Sequence, residues 1–385
     1  MKILHCCLAN FYIDNFSYQE NILPKLHKKQ GNEVEIVAST ETYLKNVTLG
    51  YIAARKYETK DGIPISRLPY VKLLPHFISK KLRIYKGLKE VLKRFKPNII
   101  FLHDCQFLSI IEIKRFAKEN DVKVFVDSHT DFINSGTNWI SKNILHRILY
   151  KWCAKHIEEV TDKFFGTLPI REQFLKDTYG INKSKIELLP FGVDDSLFKS
   201  KNKGEIRKNT RELLEIGEDD FVIVTGGKID KRKNILMLID AFYEIKKSNI
   251  KLLLFGKPAD NIKDDFMERI KHPGITYVNW IPSNDIHKYL LAGDIACFPG
   301  THSVLWEESV GLGIPCIFQK WEGITHVDLG GNCIFLSKVS ISDIKKNLVD
   351  LIENKSNFVN LKIKAEELGP KHFAYSEISK RAIGL

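Results

Sequence analysis

Two glycine-bearing segments in the second half of the chain hold the residues best suited to chemistry. In Thr225-Gly226-Gly227-Lys228-Ile229-Asp230-Lys231-Arg232-Lys233-Asn234, paired glycines let the backbone approach a ligand, and three lysines and one arginine crowd the same turn. Like charges so close repel unless an anion or solvent relieves them. The turn also leads into a predicted helix, whose N-terminus favours anions. Phosphate or diphosphate binding is the chemistry that fits; the plainer alternative is a solvated, charged turn. Neither GxxxxGK nor GxGxxG occurs, so this is not a Walker loop or a Rossmann fingerprint.

The second segment runs Phe298-Pro299-Gly300-Thr301-His302-Ser303-Val304-Leu305-Trp306-Glu307-Glu308, then Gly313 and Pro315. A loop of small residues follows a strand and opens a short helix. An acid in a helix's first turn complements the helix dipole. The sharper reading is a carboxylate that accepts sugar or ribose hydroxyls where strand passes to helix. Adjacent acids on one helix point apart, so one of Glu307 and Glu308 is expected to face solvent. The amides of Gly300, Thr301, His302 and Ser303 are placed to bind sugar hydroxyls or phosphate.

In the first half, Val126-Asp127-Ser128-His129-Thr130-Asp131 ends a buried strand, and His103-Asp104 ends the strand before it. Active-site groups of open α/β sheets gather at such carboxyl ends. His129 is the main candidate and His103 the second. Asp127 and Asp131 are candidate acceptor contacts, and a structural, fully satisfied histidine is the alternative for His129. Ser17, Tyr18 and Gln19, in the loop after the first strand, are read as opening a helix near the same place.

The elements that position these residues alternate regularly. Short runs apolar on both faces predict strands at 2–7, 33–38, 98–102, 122–127, 163–167 and 186–189, with helices at 18–29, 80–95, 107–118, 139–160 and 170–178. A polar stretch at 199–208 follows Pro190-Phe191-Gly192-Val193-Asp194 and is read as a linker. The alternation then restarts, with strands at 221–225, 251–255, 275–278, 295–298, 315–319 and 333–336. Helices are predicted at 235–247, 261–270, 284–292, 306–312 and 341–354. The chain is α/β, with two similar βαβ domains in tandem.

In that order, GGKIDKRKN, LLLFGK, YVNWIP, AGDIACFPG and EESVGLGIPCIF resemble the donor domain of GT-B glycosyltransferases, nearest to glycosyltransferase family 4. The linker LLPFGVD is similar to that family's I-P-N-G-V-D. The resemblance spans roughly residues 186–320, and the first half matches only in general pattern. It implies two Rossmann-like domains facing across a cleft. Residues 1–190 would bind acceptor, 191–370 would bind a nucleotide sugar, UDP- or GDP-linked, and 371–385 would cross back to the first domain. Family members retain anomeric configuration and need neither metal nor cofactor.

The resemblance also implies roles. Lys228 and Lys233 stand where the family places the cations that hold the diphosphate as it leaves. Glu308 matches the second acid of E-x7-E, which binds ribose hydroxyls. Ile281 lies in the segment that holds the base, Gly227 in the turn beneath the phosphates, and His129 where relatives place a histidine beside the reacting sugar. The chain departs from the family at three points: Gly300 replaces the first acid, Lys228 replaces Arg, and Phe191 replaces the linker Asn. The missing acid leaves donor sugar and stereochemistry open. A sugar-nucleotide 2-epimerase on the same fold, or a partner subunit that has lost catalysis, are the rival readings.

Composition bounds the rest. With 385 residues, a 44% hydrophobic and 28% charged share, and no apolar run of membrane-spanning length, the chain reads as globular. Seven cysteines without CxxC spacing read as buried, reduced thiols. Asn10 and Asp14 interrupt the N-terminal apolar run too early for a secretory signal. The net charge of +12 is concentrated between Lys72 and Lys96, where nine basic residues face only Glu90, a balance of +8. Spacing in 80–95 predicts one amphipathic helix with a basic face. That face is either solvated or in contact with an anionic membrane, with the loop at 73–78 and the segment 139–156 adding to the patch. A bacterial enzyme of polysaccharide or glycolipid assembly, peripheral at the cytoplasmic face of the plasma membrane, is the resulting expectation. No nucleic-acid motif accompanies the charge.

Overall fold

Runs of Ile, Val, Leu and Phe with no polar face can only be buried from both sides, and they build two largely parallel sheets. The computed structural model describes residues 1–16, 18–44, 48–72, 75–133, 135–136, 138–197 and 202–385. These fall into two units, one of Met1–Pro190 with Ile378–Leu385, the other of Phe191–Glu377.

The first unit has strands β1 (Lys2–Cys7), β2 (Glu33–Ser39), β3 (Glu41–Tyr43), β4 (Leu49–Tyr51), β5 (Lys56–Glu58), β6 (Pro64–Leu68), β7 (Ile99–His103), β8 (Lys123–Ser128), β9 (Thr161–Gly166) and β10 (Ile186–Leu188). The main sheet runs β10-β9-β8-β7-β1-β2-β6-β5. All its pairs are parallel except β5 with β6, while β3 and β4 form a separate antiparallel pair. The six predicted strands are present with ends moved by a residue or two. Strands β3 to β6 were not predicted: three of them are three residues long, and β4 and β5 have no buried residue to set a pattern.

The single basic helix expected at 80–95 does not form. Helices occupy His76–Leu82 and Leu88–Phe95, so the expected loop at 73–78 is already helical from His76, while Leu73 and Leu74 lie outside the described residues. Between the two helices, Arg83 and Gly87 take left-handed backbone angles (φ 52° and 99°). The intervening residues run antiparallel to 69–71, with Val71 N donating to Ile84 O and Lys86 N to Pro69 O. Tyr85 causes the break. It is buried, its hydroxyl donates to Leu8 O at 2.7 Å, and its amide donates to Ser109 Oγ at 2.9 Å.

The second unit has β11 (Phe221–Gly226), β12 (Ile250–Phe255), β13 (Ile275–Val278), β14 (Ile295–Phe298), β15 (Cys316–Gln319) and β16 (Cys333–Leu336), in the order β13-β12-β11-β14-β15-β16 and parallel throughout. The stretch read as a linker at 199–208 is largely helix. Lys203–Leu213 is capped by Asn202, and residues 199–201 lie outside the described residues. Its basic residues anchor it. Arg207 donates to Gly293 O at 2.7 Å, and Arg211, 2% exposed, pairs with Asp294 at 2.8 Å. Two of the chain's positive charges therefore serve packing rather than a ligand.

A helix Lys355–Phe373, also not predicted, leads to a last helix Tyr375–Arg381. The final residues belong to the first unit, where Arg381 donates to Leu188 O at 2.7 Å and Gln30 to Ser379 Oγ at 2.7 Å. All seven cysteines are buried and unpaired. Among the described residues, no helix is long and apolar enough to cross a membrane.

Both sheets place candidate loops where strand order reverses. β11 has β12 on one side and β14 on the other, and β1 lies between β7 and β2. Chain segments leaving such strands diverge and open a crevice at the carboxyl ends.

Candidate active site

The turn after β11 is built by packing before any ligand arrives. A Cβ on Gly226 would lie 2.4 Å from the Phe255 ring, and one on Gly256 would lie 1.9 Å from Gly227 O. Gly227 itself has φ +98°. Asp230 accepts from Arg232 N at 3.0 Å and pairs with the Arg232 guanidinium at 2.7 Å, so this cation is engaged within the turn. Asn234, also left-handed (φ 54°), donates to Pro299 O at 3.0 Å.

Lys233 turns inward and donates to Thr301 O at 2.7 Å and His302 O at 2.8 Å. Burial lowers its pKa to about 8. Lys228 and Lys231 are exposed. A small pocket is lined by Thr225, Gly226, Lys233, Gly300, Thr301 and Ser303, together with Ile235 and Phe298.

Gly300 has a steric reason. A Cβ there would lie 2.3 Å from Lys233 Cα and 2.4 Å from Arg232 O, because Thr301 N donates to that same carbonyl at 2.9 Å. No acid fits at 300. The carboxylate near this loop is instead Glu307, with no exposed surface, whose Oε1 accepts from His302 Nε2 and from His326 Nε2, both at 2.8 Å. Burial alone would raise the Glu307 pKa, but His302 and then His326 hold it down at about 2. Glu307 Oε2 and His326 Nδ1 are buried without a hydrogen-bond partner among the described residues.

Glu307 is the inward member of the doublet, and Glu308 is the one that keeps part of its surface. Glu308 is half-buried, and burial followed by the Glu307 charge pushes it up to about 8. The structure thus gathers Gly227, Lys233, Gly300, Thr301 and Ser303, with His302 joining them to Glu307. Ile281 is buried in the loop after β13, beside an exposed Trp280.

In the first unit, β7 and β8 pair so that His103 lies opposite Asp127. Asp127 Oδ2 is 2.9 Å from His103 Nδ1 and 3.2 Å from His129 Nε2. His103 and Asp127 are buried, while the His129 side chain keeps 19% of its surface. Of the three, only His129 can meet a substrate; Asp127, read from sequence as a possible acceptor contact, supports both rings instead. Burial opposes charging of His129, but Asp127 raises it to about 9. Against burial, His103 and His129 hold Asp127 well below the usual carboxylate range.

Asp131 is engaged structurally, pairing with Arg171 at 3.1 Å and accepting from Ile133 N at 2.8 Å. Tyr18 is exposed and Ser17 lies outside the described residues. Gln19, 1% exposed, has both amide atoms without a partner among the described residues.

Each triad, His103–Asp127–His129 and His302–Glu307–His326, brings two imidazole nitrogens and a carboxylate oxygen within 4.8 Å. Divalent metals accept such a donor set. Here the ring nitrogens lie at hydrogen-bond distance from a shared carboxylate oxygen, so both triads read as hydrogen-bonded carboxylates. The second was not found from sequence. Its histidines are 24 residues apart and follow no period.

Residues 220–354, which hold this pocket, match the family model for glycosyl transferases group 1. The second unit is thus similar to the glycosyl transferases group 1 over this stretch. No curated protein matches the chain in sequence. The whole chain has the GT-B fold of solved structures to which it is only distantly similar. A glycosyltransferase from Rickettsia africae shares 13% identity at a TM-score of 0.70, covering 99% of this chain and 96% of that one. Anabaena HepE in complex with UDP shares 13% at 0.68, covering 99% and 98%. A putative UDP-N-acetylglucosamine 2-epimerase from Listeria monocytogenes shares 14% at 0.60, covering 99% and 94%. At such identities the likeness establishes fold alone, and the family-model match is confined to residues 220–354.

Proposed function

We propose that the protein transfers a sugar from a nucleoside-diphosphate donor, UDP- or GDP-linked, to a hydroxyl of a glycan or lipid-linked acceptor. The observation that carries this is the Lys233 pocket, at the point of strand reversal in the stretch similar to glycosyl transferases group 1. Lys233 and the exposed Lys228 neutralise the diphosphate as charge develops on it, and such electrostatic stabilisation usually contributes most to lowering the barrier. The amides of Gly300 to Ser303 take sugar hydroxyls or phosphate, Glu308 takes the ribose hydroxyls, and the backbone near Ile281 takes the base. His129 acts beside the reacting sugar on the acceptor side. Retention without metal or cofactor follows from the family resemblance.

A thermal-shift panel of UDP-, GDP-, ADP- and CMP-sugars tests the reading. A ligand at 100 times its Kd adds about 2.7 kcal/mol of stability. A flat response to every member would sink it. The 2-epimerase reading shares the fold, and it predicts turnover of donor alone, without an acceptor. The reading as an inactive partner subunit rested on Gly300, whose packing against Lys233 now gives that residue a structural reason.

We also propose that the first unit rests on an anionic membrane at the cytoplasmic face, serving polysaccharide or glycolipid assembly in a bacterium. Part of the 72–96 patch is engaged internally: Lys80 pairs with Glu41, Arg83 donates to Gln106 O, and Arg94 pairs with Glu35. The stronger support lies in residues 139–158, a helix with π-helical geometry over Ser141–Tyr150. Ile140, Ile144, Ile148 and Trp152 are exposed at every fourth position, flanked by the exposed Lys142, Arg147, Lys151 and Lys155. Apolar ridges bordered by cations suit a lipid interface, where each basic residue adds about 1 kcal/mol. Ile144→Ser, Ile148→Ser and Trp152→Ser together are expected to abolish flotation with anionic liposomes while leaving circular dichroism unchanged. Undiminished flotation would rule the ridge out as the attachment surface.

A further inference from the structure

Behind His129, three buried histidines of the first unit, His27, His5 and His103, form one connected chain. His27 Nε2 is 2.8 Å from Ser379 O, His27 Nδ1 is 3.0 Å from His5 Nε2, His5 Nδ1 is 3.1 Å from His103 Nε2, and His103 Nδ1 is 2.9 Å from Asp127 Oδ2. Five parts of the fold supply it: the helix Gln19–Lys29, β1, the end of β7, β8 and the last helix, which brings Ser379. Adjacent ring planes are close to parallel, at 26° for His5 with His27 and 20° for His5 with His103, and the centroids lie 5.1 and 5.3 Å apart, the edge-to-edge arrangement that in-plane N–H···N bonds require. His5 and His27 have no exposed surface and His103 has 2%.

The ends of this chain fix its proton count. A backbone carbonyl only accepts, and so does a carboxylate. The four contacts between them need four hydrogens, yet three neutral imidazoles carry three. Working inward from Ser379, His27 must donate from Nε2 and accept at Nδ1. His5 must then donate from Nε2 and accept at Nδ1, and His103 must donate from Nε2. The last contact, His103 to Asp127, still lacks its hydrogen. We propose that His27, His5, His103 and Asp127 form a relay that stores one extra proton at the His103–Asp127 contact, so that the charge of Asp127 is already offset where it reaches His129.

The surroundings agree with that placement. Burial and neighbouring rings hold His5 well below its ordinary range, and burial holds His27 near 4, so neither is the seat of the extra proton. The other titratable groups facing the relay and His129 are Glu20 on the helix, Cys7 on β1 and Asp104 after β7. An Asp127 that bears its full charge would grip the His129 proton; an offset one releases it at lower pH. His5 and His27 are thus positioning residues. They touch no substrate, and they set the charge that His129 feels. The link to transfer rests on the function proposed above, whereas the proton count does not.

Nitrogen NMR of histidine-labelled, ligand-free full-length protein reads the count directly. At pH 7 the wild type is expected to show one of the three relay rings protonated on both nitrogens, and the other two neutral with the proton on Nε2. His5→Phe keeps a ring but removes the acceptor for His103, so the extra proton should be lost and the His129 titration should rise by about one unit. His27→Leu should also lose it, because His5 can then donate toward His103. His27→Gln should keep it, since an amide donates to Ser379 O and still accepts from His5. All three relay rings neutral in the wild type, or His27→Gln and His27→Leu behaving alike, would overturn the relay. Because no sugar nucleotide is present, either result stands apart from the fate of the transferase reading.

Discussion

Replacing Lys233 by methionine is expected to lower affinity for UDP-sugar or GDP-sugar by at least about 100-fold. Charge-assisted hydrogen bonds contribute roughly 1.5–3 kcal/mol each, and a diphosphate offers the ammonium two oxygens. Methionine keeps length and packing, so the loss reports charge rather than a cavity. The ammonium is already bonded to Thr301 O and His302 O, which places it beside the loop amides that bind the same ligand. The pH dependence has a definite sign. With burial lowering Lys233 to about 8, the free site loses its cation as pH rises through that value, so affinity should fall above it. Glu308, raised to about 8, gains its charge over the same range and improves ribose binding as pH rises. Opposed trends predict a maximum near pH 8, with Lys233→Met removing the alkaline fall and Glu308→Gln flattening the acid limb. Isothermal titration calorimetry between pH 6.5 and 9.5 checks this, and unchanged affinity in the methionine variant would remove Lys233 from the donor site.

How much of this was readable from the chain differs between levels. The long apolar runs carried their own strand signal, so the sheets of both units were legible, as was the loop pairing around Lys233 and Gly300. Strands β4 and β5 were not, because three residues with no buried member carry no period. The helix expected at 80–95 failed because the seam that suggested it includes Tyr85, whose burial against Leu8 and Ser109 is a tertiary preference. The basic residues near 203–213 looked like linker because the partners that anchor them include Gly293 O and Asp294, more than 80 residues away. Gly300 read as a lost acid, although its reason is the approach of the Lys233 backbone, which no local pattern encodes. The same holds for His5, His27 and His326. Each looked unremarkable in sequence, and each acquires a role only when segments well apart in the chain bring a second imidazole or a carboxylate within 3.1 Å.

Glu307→Ala should be the most damaging single change in the second unit, costing roughly 2–6 kcal/mol at about 1–3 kcal/mol for each donor left without its acceptor. The carboxylate has no exposed surface and both imidazoles converge on one of its oxygens, so alanine leaves two buried N–H groups without acceptors. The linkage sign follows from its depressed pKa. Unfolded, the group titrates near its ordinary value of 4.5; folded, the histidines hold it at about 2. Its contribution is therefore complete above pH 4.5 and is lost as pH falls toward 2, a difference of about 3 kcal/mol. Glu307→Gln keeps an oxygen for the two rings but cannot titrate, so it should be less damaging than alanine and should abolish this part of the acid transition. Trp306 reports the event, since it is buried next to Glu307 and stacked on Phe318 at 4.4 Å. Acid unfolding followed by its fluorescence should show the wild-type transition between pH 4.5 and 2 flattened in the glutamine variant. Nucleotide affinity should fall with stability in the alanine variant, because His302 carries both the ring bonded to Glu307 and a carbonyl that holds Lys233. An alanine variant as stable as wild type at pH 7 would mean that the triad supports neither the fold nor the donor loop.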